Sequence, residues 1–253
     1  MSIRKAVFMD IDGTLSVNGG APSDVVVTEI QKARAQGHMF FLCTGRSMGF
    51  IPAPLQNVSY IDGVVCGSGT HVRLGEVDIW RERIPRPVLQ KVCFYFLKAG
   101  RKLDFEGEKE IYSMRWKLDR PPVTHALDFE TKYPQACITK LTVAGKIQQG
   151  DEEFLGQWFS LCGMSEYFEA VLLGNTKATG IEKMLSAIGI PREHSIAVGD
   201  SENDLAMLQY AGLGVAMGNA SPKVKAQAGY ITASYAEDGI AQMIRTCVLG
   251  EKV

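Results

Sequence analysis

Lys5-Ala6-Val7-Phe8-Met9-Asp10-Ile11-Asp12-Gly13-Thr14 is the stretch on which the fold turns. Its apolar run has no polar face to offer water and breaks off at Asp10, the pattern of a strand buried on both faces of a parallel sheet. Beyond it, Gly13, Gly19 and Gly20 mark a turn-rich connection. A helix is expected from a cap at Ser23 or Asp24 to about residue 36, because Val27, Ile30 and Ala33 form a stripe and Gly37 is placed to end it. A second strand over 39–43 stops at Thr44-Gly45-Arg46, and a third over 63–66 runs into Gly67-Ser68-Gly69. Strand, helix, strand, loop, strand is the rhythm of an α/β sheet.

The same rhythm returns late in the chain. Helices are expected over 180–188, 203–210 and 221–228, alternating with strands over 195–198, which ends at Gly199-Asp200, and 214–217. Residues 1–81 and 175–253 therefore read as one α/β core domain. Between them, residues 82–174 read as an α+β insert. There Pro85 and Pro87 open a helix over 88–98, strand-like pieces follow over 110–116, 138–143 and 170–173, and a helix is expected over 152–161.

Composition narrows the class. With 253 residues, 46% apolar, 22% charged and a net charge of −1, the chain has no bulk attraction for nucleic acid or an anionic membrane. No run approaches the roughly 18 to 20 apolar residues that span a bilayer, and the first residues lack the apolar core of a signal peptide. Six scattered cysteines, with no Cys-x-x-Cys pair, point to a reduced, cytoplasmic protein. An anionic ligand must be caught locally.

The local candidates sit where strands end. Asp10 and Asp12, two apart, can both face the crevice beyond the carboxyl ends of the strands, one attacking phosphorus and the other handling protons. A plain turn accounts equally well for Asp12-Gly13; a calcium loop does not, since Thr14 and Ala21 stand where acidic ligands are needed. Thr44 and Gly45 offer a hydroxyl and an unencumbered amide to a phosphoryl oxygen, or form a capped turn. Asp200, in Gly199-Asp200-Ser201-Glu202-Asn203-Asp204, brings a further carboxylate to a strand end, while Asn203 or Asp204 can serve as a helix cap. Two carboxylates, Asp10 and Asp200, plus a carbonyl suit Mg2+, a hard cation that keeps several waters. Lys177 offsets charge beside them or is simply solvated.

Taken together, Asp10-Ile11-Asp12-Gly13-Thr14, Thr44-Gly45-Arg46, Lys177 and Gly199-Asp200-Ser201-Glu202-Asn203-Asp204 resemble, in order and spacing, the four motifs of the haloacid dehalogenase-like hydrolases. The insert's place between the second and third motifs, Ala211 to Ala220 and Glu237-Asp238-Gly239-Ile240 look like the Cof-type branch with a type IIB cap. The resemblance implies a doubly wound, mostly parallel Rossmann-like core, a cap over 82–174 that sets substrate specificity, and an aspartyl-phosphate intermediate. It implies Asp10 as nucleophile and metal ligand, and Asp12 as acid/base that ligates through its carbonyl. Thr44, Gly45, Lys177 and Asn203 would hold the phosphate, Asp200 would ligate Mg2+, and Asp204 would complete the surroundings. Cys66-Gly67-Ser68-Gly69 departs from the Asn-Gly-Ala of many relatives, which leaves an asparagine out of the substrate contacts.

The function expected is Mg2+-dependent hydrolysis of a small phosphate ester, a sugar phosphate or similar metabolite. A phosphotransferase or sugar phosphomutase with the same intermediate, or a phosphate-binding module without catalysis, are the alternatives. Arg46, Arg115, Lys117 and His125 are candidates for choosing the leaving group, the last three also explicable as exposed charge on the cap. Tyr112 and Trp116 read as cap core.

Overall fold

The computed structural model describes residues 3–115 and 119–251. They fall into two compact units. The first holds the chain up to Gly45, Ile51–Trp80 and everything from Thr176 onward; the second holds Arg46–Phe50 and Arg81–Asn175.

The chain opens with β1 (Ala6–Met9), buried at every position. Helix α1 (Asp24–Ala35) follows, with the Ser23 hydroxyl accepting from the Val26 amide as its N-cap. Its buried face is Val26, Glu29, Ile30 and Ala33, so Val26 rather than Val27 carries the stripe. Gly37 ends it at φ +93°, a left-handed conformation that glycine adopts without strain. Next come β2 (Met39–Cys43) and β3 (Gly63–Cys66). Beyond the expected elements, β4 (His71–Leu74) turns back antiparallel on β3, and β5 (Val77–Arg81) extends the edge. β5 is largely exposed and has no apolar run to mark it in the sequence.

The second unit holds α2 (Arg86–Ala99), β6 (Leu103–Gly107), β7 (Ile111–Met114), a turn of helix α3 (Asp128–Thr131), β8 (Ile138–Ala144), α4 (Asp151–Leu155), β9 (Phe159–Gly163) and β10 (Tyr167–Leu172). Its five strands pair antiparallel in the order β7-β6-β8-β10-β9. Alternation sets its two faces. Leu103, Phe105, Leu141, Val143, Phe168 and Ala170 join Val92, Cys93 and Phe96 of α2 in one core. The intervening positions are polar: Lys140 Nζ lies 2.5 Å from Glu169 and 3.7 Å from Glu106. Burial works against that ammonium, but the two glutamates outweigh it and hold it above its ordinary range. The helix expected over 152–161 is a correction. It ends at Leu155, with Gly156 at its C-cap, and residues 159–163 pair with β10, because an alternating edge strand gains more from the ladder than from helix propensity. The strand expected over 110–116 stops at Met114, where Arg115 takes φ +60°.

The chain then returns through α5 (Lys177–Ile188), β11 (Ser195–Gly199), α6 (Leu205–Tyr210), β12 (Leu213–Ala216), α7 (Pro222–Lys225), β13 (Tyr230–Ile231) and α8 (Gly239–Met243). The first sheet runs β13-β12-β11-β1-β2-β3-β4-β5, and the pairs from β13 to β3 are parallel. This is the α/β class expected, a doubly wound, mostly parallel sheet, with a smaller α+β unit inserted in the chain. Its core includes Phe8 stacked on Phe41, ring centroids 4.9 Å apart. Among the described residues no helix is long and apolar enough to cross a membrane.

Candidate active site

Register builds the site. Met9 lies level with Leu42 on one side and Val198 on the other, so Asp10, Cys43 and Gly199 are level too, and Thr44 and Asp200 follow one residue on. Three parallel strands thus deliver their polar ends to one edge, the edge at which open α/β sheets bind ligands.

After β1 the chain folds sharply on itself: the Leu15 and Ser16 amides donate to Ile11 O, and the Gly13 amide donates to Ser16 O at 2.9 Å. The Asp10 carboxyl is buried and Asp12 is exposed, so the two carboxylates meet different solvents. Gly13 has φ +79°, and a Cβ there would collide with the Asp200 carboxylate. Main chain and carboxylate are in direct contact at that point. Thr14 Oγ1 donates to Asp200 Oδ1 at 3.2 Å, and Asn219 Nδ2 donates to Gly13 O at 2.9 Å and to Asp200 Oδ2 at 3.3 Å.

Lys177 stands at the first position of α5, and the helix reaches back this far because Thr176 and Thr179 form a capping box. Its ammonium is buried and lies 2.7 Å from Asp10 Oδ1 and 2.5 Å from Asp204 Oδ1. Burial opposes its charge, yet the two carboxylates outweigh burial and hold its pKa above the ordinary lysine value. One ammonium cannot satisfy two buried carboxylates. Desolvation, helped by the nearby Asp204, pushes Asp10 up to about 7 even against the pull of Lys177. Burial, with Asp204 beside it, raises Asp200 as well.

Asp204 is fully committed. Its Oδ1 accepts from Lys177, and its Oδ2 accepts from the Asp200 and Ser201 amides at 3.0 Å each and from Ser201 Oγ. The helix expected over 203–210 accordingly begins as a tight turn over Glu202–Asp204 before α6. Asn203 is exposed, and its Oδ1 accepts from Ser201 Oγ at 2.7 Å.

The Thr44 amide donates to Val65 O at 2.8 Å, and Thr44 O accepts from the Ser68 amide at 3.2 Å, joining the ends of β2 and β3. Ser68 takes φ 53°. The loop lies tight on α5: a Cβ at Gly69 would strike Thr176 O, and one at Gly180 would strike Val65. Cys66-Gly67-Ser68-Gly69 therefore acts partly as a spacer that seats the helix bearing Lys177.

Asp10, Asp200 and Asp204 each offer a carboxylate oxygen within 4.8 Å of one another. An all-oxygen donor set of this kind fits a hard divalent cation. Asp204 is the most heavily engaged of the three, by Lys177 and the loop amides, so Asp10 and Asp200 are the carboxylates that could turn an oxygen to a cation.

The remaining expected residues lie elsewhere. Arg46 belongs to the second unit, where its Nη1 donates to Phe50 O at 3.2 Å. Arg115 is exposed, with Nη1 beside Gly100, and His125 Nδ1 accepts from the Leu127 amide at 3.2 Å. Tyr112 is core, packed against Phe129 and Tyr133. Trp116 and Lys117 lie outside the described residues. The sequence reading gave Thr14 and Asn219 no role of their own; single polar residues in loops carry no periodicity to flag them.

Residues 7–244 match the profile of the haloacid dehalogenase-like hydrolases. The chain is 28% identical over 253 residues to YkrA of Bacillus subtilis (strain 168), covering 95% of this chain and 96% of that one. It is 24% identical over 272 residues to the pyridoxal phosphate phosphatase YbhA of Escherichia coli (strain K12), covering 95% and 97%. A solved structure of the HAD subclass IIB sugar phosphatase BT4131 superposes with a TM-score of 0.80 at 27% identity, over 96% of this chain and 98% of that one. The chain belongs to the haloacid dehalogenase-like hydrolases, in their Cof-type, IIB-capped branch of phosphoric monoester hydrolases.

Proposed function

We propose that the protein hydrolyses a small phosphorylated metabolite, a sugar phosphate or similar ester, through a phosphoryl group carried on Asp10, with Mg2+ as cofactor. The observation that supports this best is the sharing of one buried ammonium, Lys177, by Asp10 and Asp204 at the edge where β1, β2 and β11 end. Such an arrangement holds a carboxylate in place as a nucleophile and leaves room for a cation's charge.

Asp10 attacks phosphorus, forming an O–P bond as the bond to the leaving oxygen breaks. Asp12, exposed and able to exchange protons with solvent, gives its proton to that oxygen. It then takes one from the water that cleaves the Asp10–phosphoryl bond, which releases inorganic phosphate and restores the Asp10 carboxylate and the protonated Asp12. Thr44 and Gly45, with Asn203, hold the phosphoryl oxygens, and Lys177 fixes Asp10 while offsetting charge. Asp10, Asp200 and the main-chain carbonyl of Asp12 would hold Mg2+, which when bound offsets the charge that builds on the phosphoryl oxygens.

Residues 1–81 and 175–253 would carry this chemistry, and residues 82–174, with Arg46, would choose the leaving group. Three of the six cysteines, Cys43, Cys66 and Cys93, are buried as small apolar side chains, in keeping with a reducing compartment. A panel of phosphorylated metabolites assayed with Mg2+ for phosphate release is the test. Release from a subset of sugar or related phosphates, lost in Asp10→Asn, is expected; no release from any ester, or release unaffected by Asp10→Asn, overturns the proposal.

A further inference from the structure

Asn219 sits in the loop between β12 and α7, and its side-chain amide touches three partners. Nδ2 donates to Gly13 O and to Asp200 Oδ2, while Oδ1 accepts from the Tyr235 amide at 2.9 Å. The two ends of the amide cannot be exchanged, because a carbonyl and a carboxylate need a donor on one side and an N–H needs an acceptor on the other. Tyr235 is itself fixed, opening the turn Tyr235–Glu237 that Ser234 and Glu237 close with a capping box. Asp200 is thereby gripped at both oxygens, Oδ1 by Thr14 and Oδ2 by Asn219. The same Asn219 amide pins the Gly13 carbonyl, whose residue has no Cβ because the Asp200 carboxylate occupies that space.

We propose that Asn219 is a positioning residue: it orients the Asp200 carboxylate and the turn after Asp12 together, so that both present oxygen to the cation. This rests on the Mg2+ reading above. Asn219 touches neither phosphate nor cation in this role. A carboxylate free to rotate between rotamers must be ordered when the cation arrives, and groups that hold a ligand in place are worth roughly 10- to 100-fold in metal affinity.

The test is calorimetric titration of Mg2+ into metal-free wild type, Asn219→Ala and Asp200→Asn, with the melting temperature of each metal-free protein measured alongside. Wild type binds, Asp200→Asn does not, and Asn219→Ala binds roughly tenfold more weakly while its metal-free melting temperature moves by no more than a few degrees. Were Asn219 merely a tie between its loop and Tyr235, the melting temperature would fall and the affinity of the folded protein would stay. Wild-type binding with Asn219→Ala weakened less than about threefold overturns this inference alone; no binding by wild type overturns it together with the Mg2+ assignment. If Asn219→Ala is unfolded at the titration temperature, Asn219→Ser, whose hydroxyl falls short of Asp200, is read by the same thresholds.

Discussion

Asp10 is a carboxyl group buried beside one ammonium that it must share with Asp204. Desolvation pushes its carboxyl up to about 7 from the 3.8 of an ordinary aspartate, even against the pull of Lys177. Between those values the folded state holds a proton that the unfolded state has released, so stability falls as pH rises from about 4 to about 7 and is flat above. Asp10→Asn removes that penalty. Urea unfolding at pH 8 without metal should find the variant more stable than wild type by up to about 4 kcal/mol, with the difference vanishing near pH 4. Equal stability at both pH values would mean that Asp10 is not held against its charge. The pairing of Lys177 with Asp10 joins residues 167 positions apart, and the sequence reading reached it through motif order, since a lone lysine has no periodicity.

At the scale of the elements, the site depends on strand ends and on the glycines that let them approach. Gly13→Ala places a methyl where the Asp200 carboxylate lies and holds a non-glycine residue at φ +79°. Gly75→Ala, at φ +53° in open space, carries the conformational cost alone, about 1 kcal/mol. Gly13→Ala is therefore expected to lose nearly all phosphatase activity while Gly75→Ala retains it, both remaining folded by circular dichroism. Comparable activity in the two variants would contradict the close packing of Gly13 on Asp200. The strands β1, β2, β3 and β11 were readable because a doubly buried parallel strand writes itself as a continuous apolar run that stops abruptly. Edge strands β5 and β9 were not, because half-exposed residues in them carry mixed polarity, and pairing with a neighbour decides their state. Likewise the exact start of α5 at Lys177 rests on Thr176, a cap whose signal is a single hydroxyl.

For the whole molecule, the proposed division of labour gives phosphate chemistry to an α/β unit and the choice of substrate to a second, α+β unit. The α/β rhythm at both ends of the chain, interrupted by a change of texture, is legible in the sequence; the polar face of the second sheet, with Lys140 between Glu106 and Glu169, is not, because alternation reveals which residues share a face and not which charges meet across strands. Removal of divalent cations with a chelator should abolish hydrolysis and lower the melting temperature relative to the Mg2+-loaded protein, and added Mg2+ should restore both; activity that survives exhaustive chelation would exclude the cation from the reaction. The central claim is that Asp10 itself carries the phosphoryl group. Quenching the enzyme during turnover, reducing it with labelled borohydride and mapping the label by peptide mass spectrometry tests this most directly. Label is expected at residue 10 alone, and only with substrate present; phosphate release at an undiminished rate with label absent, or at another carboxylate, would rule Asp10 out as the carrier.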